Sequence, residues 1–314
     1  MKTQKLVILS NDAEEYLEII RCAALPELSI EILREVDGNN QDLKDCDILL
    51  GSPDLLSNGL VYAQGVKWVQ STWAGITPLL AADLRRDYIL TGVKGVFGPL
   101  MAEYVLCYML MHERKVLERY RNQLDKKWDM SQPSSLRGKC IGIMGLGSIG
   151  VQIAQMVMPF GMKILGYSRS RTSCEGFDRC FFPDELTHFV QELDYLVCVL
   201  PDTPATDSLV DGSVLMAMRE TALIINVGRG NVIDEKSLVQ ALENNEIGGA
   251  VLDVFQNEPL PTSHPLWETP NTVITSHTAA MSVPELVAPV FIENYRRYVE
   301  KKPLNYVIDF NQGY

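Results

Sequence analysis

A chain of 314 residues is too long for one ordinary hydrophobic core and suits two domains of about 100–200 residues each. Hydrophobic residues make up 46% and charged residues 22%, which argues against a disordered chain, and 40 Asp plus Glu against 28 Lys plus Arg leave a formal net charge of -12. A surface that acidic repels phosphate backbones and anionic lipid, so neither nucleic acid nor a membrane is expected as a partner, although a few local Arg residues can still hold a small anion.

Met1–Ser10 has only four consecutive apolar residues before Asn11–Glu15, too few for a signal peptide, and no apolar stretch approaches the ~18 residues of a spanning helix. The expectation is a soluble, cytoplasmic protein. Short apolar runs then alternate with amphipathic stretches. Lys5–Leu9, Ile30–Leu33, Ile48–Leu50, Val66–Gln70 and Tyr88–Leu90 read as strands and Glu14–Ala24 as a helix, the pattern of a small parallel α/β domain. One long helix is predicted from about Pro99 to Arg121, with Pro in its first turn. A second series follows, with six strand candidates at Cys140–Met144, Met162–Gly166, Tyr195–Leu200, Leu223–Val227, Gly249–Leu252 and Val273–Ile274. Helical patterns lie between them at Val151–Met158, Val214–Met218 and Glu235–Glu243, as a doubly wound dinucleotide-binding domain requires. The last helix, about Pro284–Lys301, follows the closed series and can return the chain to the first domain.

Seven cysteines (22, 46, 107, 140, 174, 180 and 198) form no C-x-x-C pair, and several sit in apolar runs. They read as small buried hydrophobes rather than redox or metal groups. No His/Cys/Asp cluster has metal-ligand spacing, so no catalytic metal is expected.

Gly145, Leu146, Gly147, Ser148, Ile149 and Gly150 form G-x-G-x-x-G at the end of an apolar strand and before a helix. Gly145 allows the tight turn, Gly147 the approach of a pyrophosphate, and Gly150 the packing of helix on strand. The next strand ends at Tyr167 and is followed by Ser168, Arg169, Ser170 and Arg171, where an NAD-preferring site usually carries an acid. Guanidiniums suit a 2′-phosphate, so NADPH is expected in preference to NADH; the other reading is a solvated polar loop.

Arg229 in N-V-G-R-G (226–230), Glu258 in D-V-F-Q-N-E-P (253–259) and His277 in T-S-H-T-A-A (275–280) each follow an apolar strand. All three are therefore expected at the carboxyl edge of one sheet, the edge that carries the glycine loop. Singly, each can be a capping, turn or satisfied polar residue, and the constellation is worth more than any member. His112, His188 and His264 have no such setting.

These motifs in this order, G-L-G-S-I-G, N-V-G-R-G, L-D-V-F-Q-N-E-P-L and S-H-T-A-A, resemble the D-isomer-specific 2-hydroxyacid dehydrogenases over nearly the whole chain. S-R-S-R after the second strand, P-L-W at 265–267 and the terminal Gly-Tyr are most similar to the glyoxylate/hydroxypyruvate reductase A group. The resemblance implies an α/β fold of two domains, a Rossmann-type doubly wound dinucleotide-binding domain (99–284) inserted in a smaller flavodoxin-like substrate domain (1–98 with 285–314). It implies reduction of a short 2-keto acid by NADPH in a homodimer, with Arg229 gripping the substrate, His277 donating the proton and Glu258 fixing the His277 ring. Pro201, Thr206, Val227, Gly228, Asp253 and Ala279 fall at positions that meet the cofactor in relatives. Ala74 and Gly75 fall in a loop whose amides bind the substrate carboxylate, and Trp73 reads as a pocket wall or a packing aromatic. Trp128 matches a region that in some relatives reaches a neighbouring subunit. Ser276 replaces the family's common Pro before the catalytic His. The alternatives are a related 2-ketoacid reductase of other substrate range and a nucleotide-sensing, corepressor-like binding protein.

Overall fold

In the computed structural model, which describes residues 3–36, 41–169 and 174–310, apolar runs become strands of two parallel sheets. β1 (Gln4–Leu9), α1 (Ala13–Cys22), β2 (Leu28–Leu33), α2 (Gln41–Lys44), β3 (Ile48–Gly51), α3 (Pro53–Leu60), β4 (Trp68–Ser71) and β5 (Ile89–Thr91) build the first sheet, in the order β2-β1-β3-β4-β5. That is the flavodoxin-like order. β3 and β4 are buried on both faces, as parallel strands between helices must be. α1 turns Ala13, Tyr16 and Ile20 inward at helical spacing.

The second sheet has seven strands. Its elements are α4 (Phe97–Glu113), α5 (Val116–Leu124), β6 (Cys140–Met144), α6 (Ser148–Val157), β7 (Lys163–Tyr167), β8 (Arg179–Phe181), α7 (Leu186–Gln191), β9 (Tyr195–Cys198), α8 (Gly212–Ala217), β10 (Leu223–Asn226), α9 (Glu235–Glu243), β11 (Gly249–Leu252) and β12 (Thr272–Ile274). The order β12-β11-β10-β9-β6-β7-β8 is a Rossmann sheet with an added edge strand, and its direction of winding reverses between β6 and β9. The chain then returns to the first sheet as α10 (Pro284–Val299). There Trp68, fully buried, stacks on Phe291 with ring centroids 5.1 Å apart, and its indole N–H donates to Thr91 Oγ1 at 2.7 Å. The described residues of Met1–Val96 and Met281–Tyr314 form one compact unit and those of Phe97–Ala280 the other, limits a few residues upstream of the expected ones. Among the described residues, no helix is long and apolar enough to cross a membrane.

Three expectations change. The helix predicted over 99–121 is two helices, broken where Lys115 takes a left-handed φ of 52°. α4 is apolar and ends at Glu113, whose buried carboxylate accepts from the Tyr195 hydroxyl, whereas α5 buries none of its residues. The second sheet gains β8, a three-residue edge strand too short to show a period. The cysteines divide. Cys46, Cys140 and Cys198 are buried thiols, and burial pushes Cys46 and Cys198 up to about 12. Cys22 and Cys107 are exposed, and Cys174 is disulfide-bonded to Cys180 across the turn that precedes and enters β8.

The start of α6 crosses the end of β6 at backbone distance. A Cβ on Gly150 would lie 2.0 Å from the carbonyl oxygen of Gly145, which itself has a φ of +106°. Gly150→Ala must therefore push the helix off the strand, at a cost of about 1–3 kcal/mol. Thermal unfolding of the variant is expected to fall by roughly 3–10 °C. An unchanged Tm would show that the crossing has slack.

Candidate active site

The strands of the second sheet end in register. β6 pairs Met144 with Cys198 of β9, β10 pairs Asn226 with both Cys198 and Leu252 of β11, and Leu252 pairs with Ile274 of β12. Five loops therefore leave one edge side by side, carrying Gly145–Gly150, Pro201–Thr206, Val227–Gly230, Asp253–Glu258 and Thr275–Ala279. This is the edge at which open α/β sheets bind ligands.

Gly147 stands at the start of α6, and a Cβ there would meet nothing within 4 Å, so the space over the loop is open. The first-turn amides of a ten-residue helix have no intrahelical acceptor and point into that space beside the positive end of the dipole. Amides beginning at Ser148 and Ile149, at the point where the sheet reverses, fit the pyrophosphate of a dinucleotide. Leu146 packs over Gly166 of β7 instead of facing the opening. Ser168 follows β7 with its N–H on the Phe181 carbonyl (3.1 Å), and Arg169 beyond it is exposed. Arg171 lies outside the described residues. In the β9 loop the Thr206 hydroxyl donates to the Pro201 carbonyl at 2.7 Å and accepts the Thr203 N–H at 3.0 Å, closing the turn on itself.

Arg229 is set by its neighbours. A Cβ on Gly230 would fall 1.9 Å from the carbonyl carbon of Phe255, so the loops after β10 and β11 touch backbone to backbone. Buried Asn226 spans the turn. Its amide donates to the Arg229 carbonyl at 3.0 Å, and its oxygen accepts the Gly228 N–H at 3.1 Å. Val227 is buried beneath. The guanidinium donates to the Gly228 carbonyl at 2.6 Å. Burial draws its pKa down, and the charges of Glu258 and Asp202 act in the opposite direction.

His277 and Glu258 meet. Nδ1 of His277 lies 2.7 Å from Oε2 of Glu258, whose other oxygen accepts the Phe255 N–H at 2.9 Å. A carboxylate only accepts, so Nδ1 carries a proton and donates it. His277 adopts a left-handed φ of 56°, rare for a residue with a side chain. Asp253 holds it there. Only 1% exposed, Asp253 accepts the Thr278 N–H (2.8 Å) and the Thr275 hydroxyl (2.5 Å) on one oxygen and the Ala279 N–H (3.0 Å) on the other. Its own carbonyl takes the His277 N–H at 2.8 Å. The carboxylate expected at the cofactor is thus occupied within the protein, and it stiffens the loop around Ser276. The loop after β11 is anchored by Glu235, which accepts the Gln256 N–H at 2.8 Å and lies 3.3 Å from Nε2 of His264.

Asn226 and the structural role of Asp253 were not drawn from the sequence, although both lie inside quoted motifs; a polar residue ending a buried strand was the available signal. Trp73, Ala74 and Gly75 lie in the other unit, after β4. There the Ser71 hydroxyl bridges the N–H and carbonyl of Trp73, a residue 40% exposed. Trp128, beyond α5, is 92% exposed. Among the described residues, no group of three His, Cys, Asp or Glu could hold a metal ion.

Residues 106–279 match the family model described as D-isomer specific 2-hydroxyacid dehydrogenase, NAD binding domain. A solved D-isomer specific 2-hydroxyacid dehydrogenase family protein from Aeromonas salmonicida is 39% identical, with a TM-score of 0.93 over 98% of this chain and 100% of that one. The D-isomer specific 2-hydroxyacid dehydrogenase from Xanthobacter autotrophicus, solved with NADPH and MES, is 30% identical with a TM-score of 0.89 over 99% and 100%. The glyoxylate/hydroxypyruvate reductase A of Photorhabdus laumondii is 28% identical over 96% of this chain and 97% of its own. With a Rossmann unit inserted in a flavodoxin-like one and the family's motifs on one sheet edge, this chain belongs to the D-isomer specific 2-hydroxyacid dehydrogenases.

Proposed function

We propose that this dehydrogenase reduces a short 2-keto acid, glyoxylate or hydroxypyruvate, to the 2-hydroxy acid, with NADPH preferred to NADH. The observation that carries the reading is the His277–Glu258 pair at 2.7 Å, on the sheet edge that also bears the desolvated Arg229. The name of the Photorhabdus relative supports the substrate class, and the NADPH in the Xanthobacter structure supports the cofactor.

When bound, the nicotinamide supplies the hydride. The protein's task is to orient the keto acid and to deliver a proton to its carbonyl oxygen. Arg229 offers a planar fork of N–H donors that suits a carboxylate and an adjacent carbonyl oxygen, and its partial burial strengthens those bonds. That grip turns a bimolecular encounter into an oriented one. With Nδ1–H committed to Glu258, the transferable proton of His277 sits on Nε2. It passes to the carbonyl oxygen as the carbon is reduced, leaving neutral imidazole and the hydroxyl of the product. Glu258 holds the ring in that tautomer and faces the charged form with a carboxylate. Arg169 after β7, where NAD-preferring sites carry an acid, supports recognition of a 2′-phosphate.

His277→Ala is expected to lower kcat with NADPH at neutral pH by about 10²–10⁴-fold while NADPH binding, read by fluorescence, is kept. Near-full turnover would remove His277 as the proton donor. Arg229→Ala is expected to raise KM for the keto acid and to lower kcat/KM by about 100-fold or more. Wild-type protein is expected to use NADPH more efficiently than NADH, and Arg169→Asp to narrow that ratio by about tenfold. Equal efficiency with the two cofactors before mutation would overturn the cofactor reading.

A further inference from the structure

We infer that Tyr104 is a positioning residue for His277, acting through Thr275 and Asp253. This rests on the proposed role of His277 and extends it to a side chain on α4. The Tyr104 hydroxyl lies 2.7 Å from Thr275 Oγ1, and Thr275 Oγ1 lies 2.5 Å from Oδ1 of Asp253. The direction of the chain follows from proton inventory. A carboxylate oxygen accepts, so the single Thr275 proton points to Asp253, and the Tyr104 proton must point to Thr275.

The chain ends on the loop that holds His277. Asp253 takes the amides of Thr278 and Ala279 on either side of its bond from Thr275, so three donors from one loop converge on one buried carboxylate. The His277 backbone at φ 56° is a conformation that residues with a side chain rarely adopt, and it persists only when its surroundings over-determine it. Ser276, with no ring to restrict it, leaves that task to the hydrogen bonds. Tyr104 is itself held. It is half-buried, and its ring packs against Tyr108 one turn on, with centroids 4.6 Å apart. Hydrogen bonds in a chain polarise one another, so the loss of the terminal donor weakens the Thr275–Asp253 bond as well as its own.

The test uses Tyr104→Phe, Thr275→Val and Thr275→Ser in the full chain, with two readouts. The first is the imidazole spectrum of ¹⁵N-histidine-labelled protein without ligand, His277 being assigned by its disappearance in His277→Ala. Tyr104→Phe and Thr275→Val are expected to shift or broaden the His277 ring signals and to leave His112, His188 and His264 in place. The second is turnover of hydroxypyruvate with NADPH, for which Tyr104→Phe is expected to lower kcat about tenfold with KM changed less than about twofold. Thr275→Ser, which keeps the hydroxyl, restores both readouts, and the double variant is no worse than Thr275→Val alone. Unchanged His277 signals in Tyr104→Phe, equal disturbance of all four histidines, or multiplying effects in the double variant would overturn the inference. Shifted His277 signals with full turnover would leave the positioning intact and count against His277 as the proton donor.

Discussion

A carboxylate buried at the end of a strand must have its lone pairs occupied, because an unsatisfied charge in the interior is costly. Asp253, the first residue after β11, is in that condition, and the donors that satisfy it come from the loop after β12. The path of that loop is therefore dictated by the requirement to bring Thr275, Thr278 and Ala279 to one point. His277, between them, is left with an inverted backbone and its ring against Glu258, which belongs to the loop that Asp253 begins. One strand end thus supplies both the anchor of the histidine and its ring partner, and the geometry of the pair follows from the satisfaction of a buried charge.

The other loops of the site interlock by a different means. Strands that end in register deliver their loops into a narrow row, and the loops touch through backbone. Gly230 meets Phe255 at a distance that no Cβ allows, and Gly150 does the same over Gly145. Asn226 closes the turn that leads into Gly230 with two hydrogen bonds to main chain. Arg229 projects from a segment that cannot shift without breaking the Gly230–Phe255 crossing. Such a rigid base suits a side chain that must hold a substrate's orientation.

A net charge of -12 and a site built for anions are compatible because fields act over different ranges. Surface charges are screened beyond about 10 Å, while the α6 amides and the half-buried Arg229 act at hydrogen-bond distance in a less polar setting. The acidic surface opposes extended polyanions, and it leaves a small anion to be captured by local donors.

The parallel strands, the glycine loop, the family and the edge on which Arg229, Glu258 and His277 stand are legible in the order of residues alone, because these depend on periodicity and on residue types with few substitutes. An apolar run of four or five residues buried on both faces, or a glycine where backbones cross, leaves a local mark. The rest depends on contacts between distant segments. The break at Lys115 falls two residues after Glu113, which meets Tyr195 82 residues away, and the edge strand β8 takes its partner from β7. The pairing of Cys174 with Cys180 depends on the turn that brings them together. Asp253 carried no sign of whether it would face a ligand or the protein. That was settled by which donors reach it, 22 to 26 residues along the chain, one of which, Thr275, meets Tyr104 171 residues away. A side chain's chemistry is written at its own position, but the partners that use it are chosen by packing between segments that no local pattern connects.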